Sequence, residues 1–246
     1  MKLENYELHL PSYSVGKEVY NQIGKICKPY GTKVLVIGGK KALSAAFDKI
    51  SKNAADGGLD IIGKEIYGTD CTYEAVERLA ALTSFQEADM VFAVGGGKAI
   101  DTCKCLCIEC EKPMFTFPTI ASNCAACTSV SIMYHEDGTF FKPHFFTHPA
   151  AHAFIDTQII AAAPYRYLWA GIGDTYAKNY EAGISSRGEK LPHYTEVGVG
   201  FSKMCLTPML EYGRQALEDN KKGVATEALE QVVLAIVVTT AIVSIF

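Results

Sequence analysis

Gly95, Gly96 and Gly97, followed at once by Lys98, are the residues whose types and spacing could hold a phosphate. They end a five-residue apolar run, Met90-Val91-Phe92-Ala93-Val94, that reads as a strand buried on both faces. Three glycines take every Cβ out of the turn, so main-chain N–H groups can crowd against a ligand. The segment behind them reads as a helix opening at about Lys98. Its partly positive N-terminus, with an ammonium beside it, suits a pyrophosphate. Read alone, the same glycines also fit a flexible turn with no ligand. The run is neither G-x-G-x-x-G nor a Walker loop, since no Gly-Lys-Ser/Thr occurs in the chain. Gly38-Gly39 ends a second apolar run, Lys33 to Ile37, and leads into Lys40 and Lys41. No Asp stands there to grip a ribose 2′-hydroxyl. The two lysines suit a 2′-phosphate, or else they open a solvated helix.

The elements that must carry these turns follow from hydrophobic periodicity. A short helical pattern covers Val15 to Lys28. Strands are predicted at Lys33–Ile37, Leu59–Ile66, Met90–Val94 and Met114–Phe117. Helices are predicted from about Lys40 to Asn53, after a Thr72 cap, and from Lys98 to about Cys110. That alternation implies a parallel sheet with helices on both sides, and ligands in such sheets sit beyond the carboxyl ends of the strands. The glycines at 38–39 and 95–97 and Thr119 all fall at such ends. Ser129–Tyr134 and Ala153–Ile155 read as further strands linked through a turn at Glu136-Asp137-Gly138. After Ala161-Ala162-Ala163-Pro164, nearly everything has helical spacing.

Composition narrows the class. With 246 residues, 49% hydrophobic and 20% charged, the chain is globular and long enough for a sizeable core. A net charge of −4 argues against a nucleic-acid binder. Met1-Lys2-Leu3-Glu4 does not open a signal peptide, and a cytoplasmic location is expected. Nine cysteines, an odd number, do not form a disulfide framework, because Cys103, Cys105, Cys107 and Cys110 crowd one predicted helix. A metal cluster on that helix is the alternative to thiols packed in a core. Val232 to Phe246, apolar on every face, is shorter than the ~20 residues of a membrane span and reads as a buried helix. Nothing in the chain is left to wrap it, so either the sequence is truncated or a partner covers it; a homo-oligomer and no membrane are expected.

GGGKAIDTCK, PTIASNCAAC and AGIGDTYAK, in this order, resemble the glycerol-dehydrogenase branch of the iron-containing alcohol dehydrogenases, most clearly from Lys33 to Glu181. The resemblance implies a dinucleotide-binding α/β domain at residues 1–162. The first part of an all-helical metal-binding domain follows at 163–246, with the active site between them. It implies hydride transfer between NAD or NADP and a small alcohol, polyol or 2-hydroxy acid, aided by a divalent zinc or iron ion. Gly96, Gly97 and Lys98 match the pyrophosphate loop and Asp101 the acid in its helix. Thr119, Ser122, Thr128, Val130 and Tyr134 match positions lining the dinucleotide, and Asp174 matches a ligand of the catalytic metal. Read alone, Val130 and Tyr134 are strand packing and Asp174 a helix cap.

Three departures qualify the match. Cys124 stands where the family carries an acid contacting the polyol; a neutral thiol would not repel an anionic substrate, and SNCAAC resembles a sub-branch acting on 2-oxo and 2-hydroxy acids. Lys40 and Lys41 lead to the expectation that NADPH is accepted at least as well as NADH. The family's two metal-binding histidines are not matched: His144 and His148 have i, i+4 spacing but are flanked by Pro143 and Pro149. The implied metal is therefore expected to bind weakly or not at all, and a catalytically inactive nucleotide-binding fragment is the alternative reading.

Overall fold

A computed structural model describes residues 7–246; the Met1-Lys2-Leu3-Glu4 start lies outside them. Six parallel strands form one sheet in the order β1-β8-β5-β4-β2-β3. They are β1 (Tyr13–Val15), β2 (Lys33–Gly38), β3 (Asp60–Ile66), β4 (Met90–Gly95), β5 (Met114–Pro118) and β8 (His152–Ile155). β6 (Val130–Tyr134) and β7 (Phe140–Phe145) form a separate antiparallel hairpin. The helices α1 (Ile23–Cys27), α2 (Lys40–Asp56), α3 (Tyr73–Ala80), α4 (Thr83–Glu87) and α5 (Gly97–Ile108) connect the first strands.

β4 and β5 are buried along their whole length, as is β2 after Lys33, which explains their unbroken apolar sequences. Side chains alternate across the sheet between two cores. Val34, Val36, Phe92 and Phe117 pack with α1 and α2 on one face. Leu35, Ile37, Val91 and Ala93 pack on the other, with α3, α5 and the later helices. Thr72 caps α3 by accepting the Ala75 N–H at 3.1 Å.

The start of the chain differs from expectation. Val15 ends β1, an edge strand in register with β8 (Val15 opposite Ile155), and the helical pattern begins only at a 3₁₀ turn, Val19–Gln22. The Glu136-Asp137-Gly138 turn joins β6 to β7, not to the strand at 153–155. β7 escapes sequence reading because it is mostly exposed and carries Pro143, which a two-stranded ribbon tolerates but a central strand would not.

α6 (Thr157–Ala161) closes the sheet-bearing part, and everything from α7 (Tyr165–Ser185) onward is helical. α8 (His193–Ser202), α9 (Leu206–Lys221) and α10 (Glu227–Leu234) follow, and a π-helical turn (Ala235–Thr239) runs into α11 (Thr240–Ile245). Together Glu227–Ile245 makes 19 helical residues of mean hydropathy 2.1, long and apolar enough to cross a membrane by length and composition. The shortness expected for this stretch is therefore corrected. Its burial is what speaks for a core helix: Val232, Val233, Ile236 and Val237 are fully enclosed. From Ile242 onward the helix is only partly covered. Along α7, Tyr165, Trp169, Tyr176, Tyr180 and Ile184 stand exposed.

Candidate active site

The carboxyl ends of β2, β4 and β5 lie side by side, with Gly38 opposite Val94 and Gly95 opposite Pro118. Glycine is required by contact there. A Cβ on Gly38 would stand 2.5 Å from the Val94 carbonyl oxygen, and Gly95 has φ +153°. The same position on Gly95 would be 3.9 Å from the Gly39 nitrogen, so the two glycine turns abut. Gly39 precedes α2 and Gly96 precedes α5, and neither helix has a side-chain cap. The first-turn N–H groups of both are thus available to an anion in the same crevice. Lys40 and Lys41 stand exposed at the start of α2.

The loop after β5 folds over this turn. Thr119, buried, donates its N–H to the Gly95 carbonyl at 3.1 Å. A Cβ on Gly96 would meet Ile120 Cδ1 at 2.6 Å, and one on Gly97 would meet Asn123 Nδ2 at 2.7 Å. Ser122 is half-buried in the same loop. Lys98 reaches the opposite wall. Its ammonium is ion-paired with Asp70 and sits 5.3 Å from the centre of the Tyr134 ring. The Asp70 carboxylate holds the Lys98 pKa above its ordinary value. Asp70 and Asn123 were not among the expected site residues. The signal for Asp70 was its position just past the end of β3, where ligands of such sheets gather.

Asp101, Thr128 and Val130 come together on the flank of α5. Asp101 is buried, with Oδ2 accepting the Ile132 N–H at 3.1 Å and Oδ1 2.9 Å from the Lys104 ammonium. Lys104, wholly enclosed, also donates to Thr128 Oγ1 at 3.1 Å and to the Val130 carbonyl. These three residues bind the β6–β7 hairpin to the flank of α5. Through it they set where Tyr134 stands over Lys98.

α7 approaches from the other side. A Cβ on Gly171 would lie 2.3 Å from the Ala121 carbonyl oxygen, so the helix backbone rests directly on the loop after β5. Asp174, one turn on, is exposed, with the Lys178 ammonium 3.9 Å away. Cys124 lies within electrostatic reach of both and within hydrogen-bond reach of Ser244; burial pushes its thiol pKa up and keeps it neutral. Among the described residues no three His, Cys, Asp or Glu side chains converge on one point. A lone carboxylate beside an ammonium and a protonated thiol does not fit a divalent ion. His144 lies in β7 and His148 in the loop after it, so their spacing marks no shared helix face. The nine cysteines are free thiols, with Cys103, Cys105 and Cys107 in the core and Cys110 exposed. A cleft of about 270 Å³ between α7, α8 and α11 takes in none of the expected residues.

A parallel sheet whose central strands end in glycine turns, followed by a helical region that carries one carboxylate back toward them, is a restricted class of architecture. Residues 11–156 match the family model described as iron-containing alcohol dehydrogenase, and the chain belongs to that family. It is 32% identical over 227 residues to a glycerol dehydrogenase of Escherichia coli O6:H1, covering 91% of this chain and 62% of that protein. Hydroxycarboxylate dehydrogenase A of Escherichia coli K12 is 33% identical over 207 residues, covering 84% and 56%. The crystal structure of glycerol dehydrogenase from Schizosaccharomyces pombe superposes with a TM-score of 0.84 at 25% identity, over 98% of this chain and 62% of that one. The chain therefore spans about three fifths of the length of these relatives.

Proposed function

We propose that the chain binds NAD or NADP in the glycine crevice as part of an oxidoreductase acting on the CH–OH group of a small alcohol, polyol or 2-hydroxy acid. The observation that carries this reading is the pair of abutting, uncapped helix N-termini, entered through Gly38, where a Cβ would strike the Val94 carbonyl, and through Gly95 at φ +153°. The dinucleotide, when bound, supplies the hydride acceptor or donor. The chain's own residues do the rest. The first turns of α2 and α5 and the Lys98 ammonium neutralise pyrophosphate charge. The loop from Thr119 to Asn123 walls the crevice, and Tyr134 covers Lys98 from the hairpin side. Cys124, neutral beside Asp174, leaves room for an anionic substrate that a second carboxylate would repel. This supports 2-oxo and 2-hydroxy acids over glycerol.

A second reading, a nucleotide-binding module without turnover, is favoured by the incomplete donor set around Asp174. Dinucleotide titration followed by turnover assays with added zinc or iron separates the two. Binding with reduction of a 2-oxo acid supports the enzyme; binding without turnover under every metal supports the module. Brisk glycerol oxidation counts against the acid preference, and a soaked crystal with an empty crevice overturns both readings.

A further inference from the structure

We propose that the sulfur atoms of Cys71, Cys105 and Met133 form a binding site for a soft monovalent metal ion, copper(I) by its chemistry. The site is separate from the glycine crevice. Cys71 lies in the bend between β3 and α3, Cys105 in the middle of α5, and Met133 in β6. Three elements distant in sequence thus bring three sulfurs together. Cys71 Sγ stands 3.4 Å and Cys105 Sγ 3.3 Å from Met133 Sδ, each thiol donating to the thioether, and the two thiols interact electrostatically with each other. All three side chains are fully enclosed.

Two thiols and a thioether are a soft donor set, with no imidazole or carboxylate to attract a harder ion. Each thiol also has a hydroxyl beside it: Thr102 at Cys71 and Ser131 at Cys105. Those hydroxyls now donate to the Lys98 and Asp101 carbonyls, and either can rotate its proton onto a thiolate.

Binding forms two copper–thiolate bonds and one thioether bond and releases two thiol protons to solvent. Copper stays in the +1 state throughout. A metal–sulfur bond of about 2.3 Å sets trigonal sulfurs roughly 4 Å apart, so the cluster must open by about 0.6 Å. Of the three, only Cys71 lies outside a helix or strand, in the stretch that follows Gly68 at φ +130°, with its carbonyl accepting the Tyr134 N–H at 2.8 Å, so its side chain is the one placed to shift.

The test is an anaerobic titration of the reduced 246-residue chain with copper(I) against a chromogenic copper(I) chelator, with X-ray absorption on the complex. One equivalent should bind with sulfur neighbours alone. Cys71→Ser and Cys105→Ser should each weaken it by at least about 100-fold, and Met133→Leu by about 10-fold. Met133→Leu keeps the core volume, so its circular dichroism and thermal midpoint should stay near the parent's. Cys110→Ser should leave binding unchanged. The proposal is overturned if the chelator retains all the copper, if nitrogen or oxygen ligands appear, if Cys110→Ser weakens binding as much as Cys105→Ser, or if the three site variants bind as the parent does.

Discussion

Asp70 occupies the Lys98 ammonium while the crevice is open, and this has a measurable consequence for dinucleotide binding. A pyrophosphate arriving at α5 must share that ammonium with the carboxylate and suffers its repulsion. The Lys98 side chain is 52% exposed and that of Asp70 19%, so solvent screens much of the attraction. Pairs of this kind are worth about 0.2–1 kcal/mol. Asp70→Asn keeps the shape of the side chain and removes the charge. It should therefore tighten dinucleotide binding by roughly 1.4- to 5-fold, since about 1.4 kcal/mol is tenfold. Lys98→Met should weaken binding and flatten its dependence on salt, because a charge-to-phosphate contact is lost. Calorimetric titration with NAD at about 50 mM and about 500 mM salt reads both effects across the range where screening changes most. Weaker binding by Asp70→Asn would refute the reasoning and make the carboxylate a contact of the ligand. Unchanged binding by Lys98→Met would show that the ammonium never leaves Asp70.

Other substitutions test the scaffold and the specificity. Gly171→Ala places a methyl against the Ala121 carbonyl oxygen and should destabilise the fold by about 1–3 kcal/mol in urea unfolding. Lys104→Met strands the buried Asp101 carboxylate, and a loss of about 3–5 kcal/mol is expected, read from the urea midpoint. His152, held between Ser12 Oγ at 2.7 Å and Ser14 Oγ at 2.9 Å, has its pKa lowered by burial. The native state keeps it neutral while the unfolded chain takes up a proton below about pH 6.5, so its contribution is present above that pH and is lost as pH falls. His152→Gln should flatten the decline in urea midpoint between about pH 7.5 and about pH 5.5. Each exposed lysine at the start of α2 contributes at most about 1 kcal/mol, so Lys40→Ala/Lys41→Ala should weaken NADPH by up to ~30-fold and leave NADH unchanged.

The parallel sheet was legible because β2, β4 and β5 are enclosed on both faces and so carry unbroken apolar runs. The glycine turns were legible because the punctuation at their ends has few other physical causes. β1 and β7 were not. The first is three residues long and exists only through pairing with β8, and the second holds a proline and faces solvent. Asp101 shows a different limit. Its place one turn into α5 agrees with a ligand contact and with a buried anchor alike, and helical periodicity does not reveal that Lys104, three residues on, is wholly enclosed beside it. Asp174 was found through the family motif; helical periodicity puts it on α7 but says nothing of Lys178 or of the Cys124 thiol beside it.

The widened turn at Ala235–Thr239 gives the last helix one residue more than a regular coil would hold. Thr240 Oγ1 reaches back to the Ala235 carbonyl at 3.0 Å and across to Thr175 Oγ1 at 3.3 Å, which stitches the bulge to the helix bearing Asp174. Deleting a single residue from the bulge would restore an ordinary spiral and swing everything after it by about 100°. Ser244 would then turn away from Cys124. An indel of one amino acid, far along the chain, would thus rewrite the surroundings of a side chain more than a hundred positions earlier.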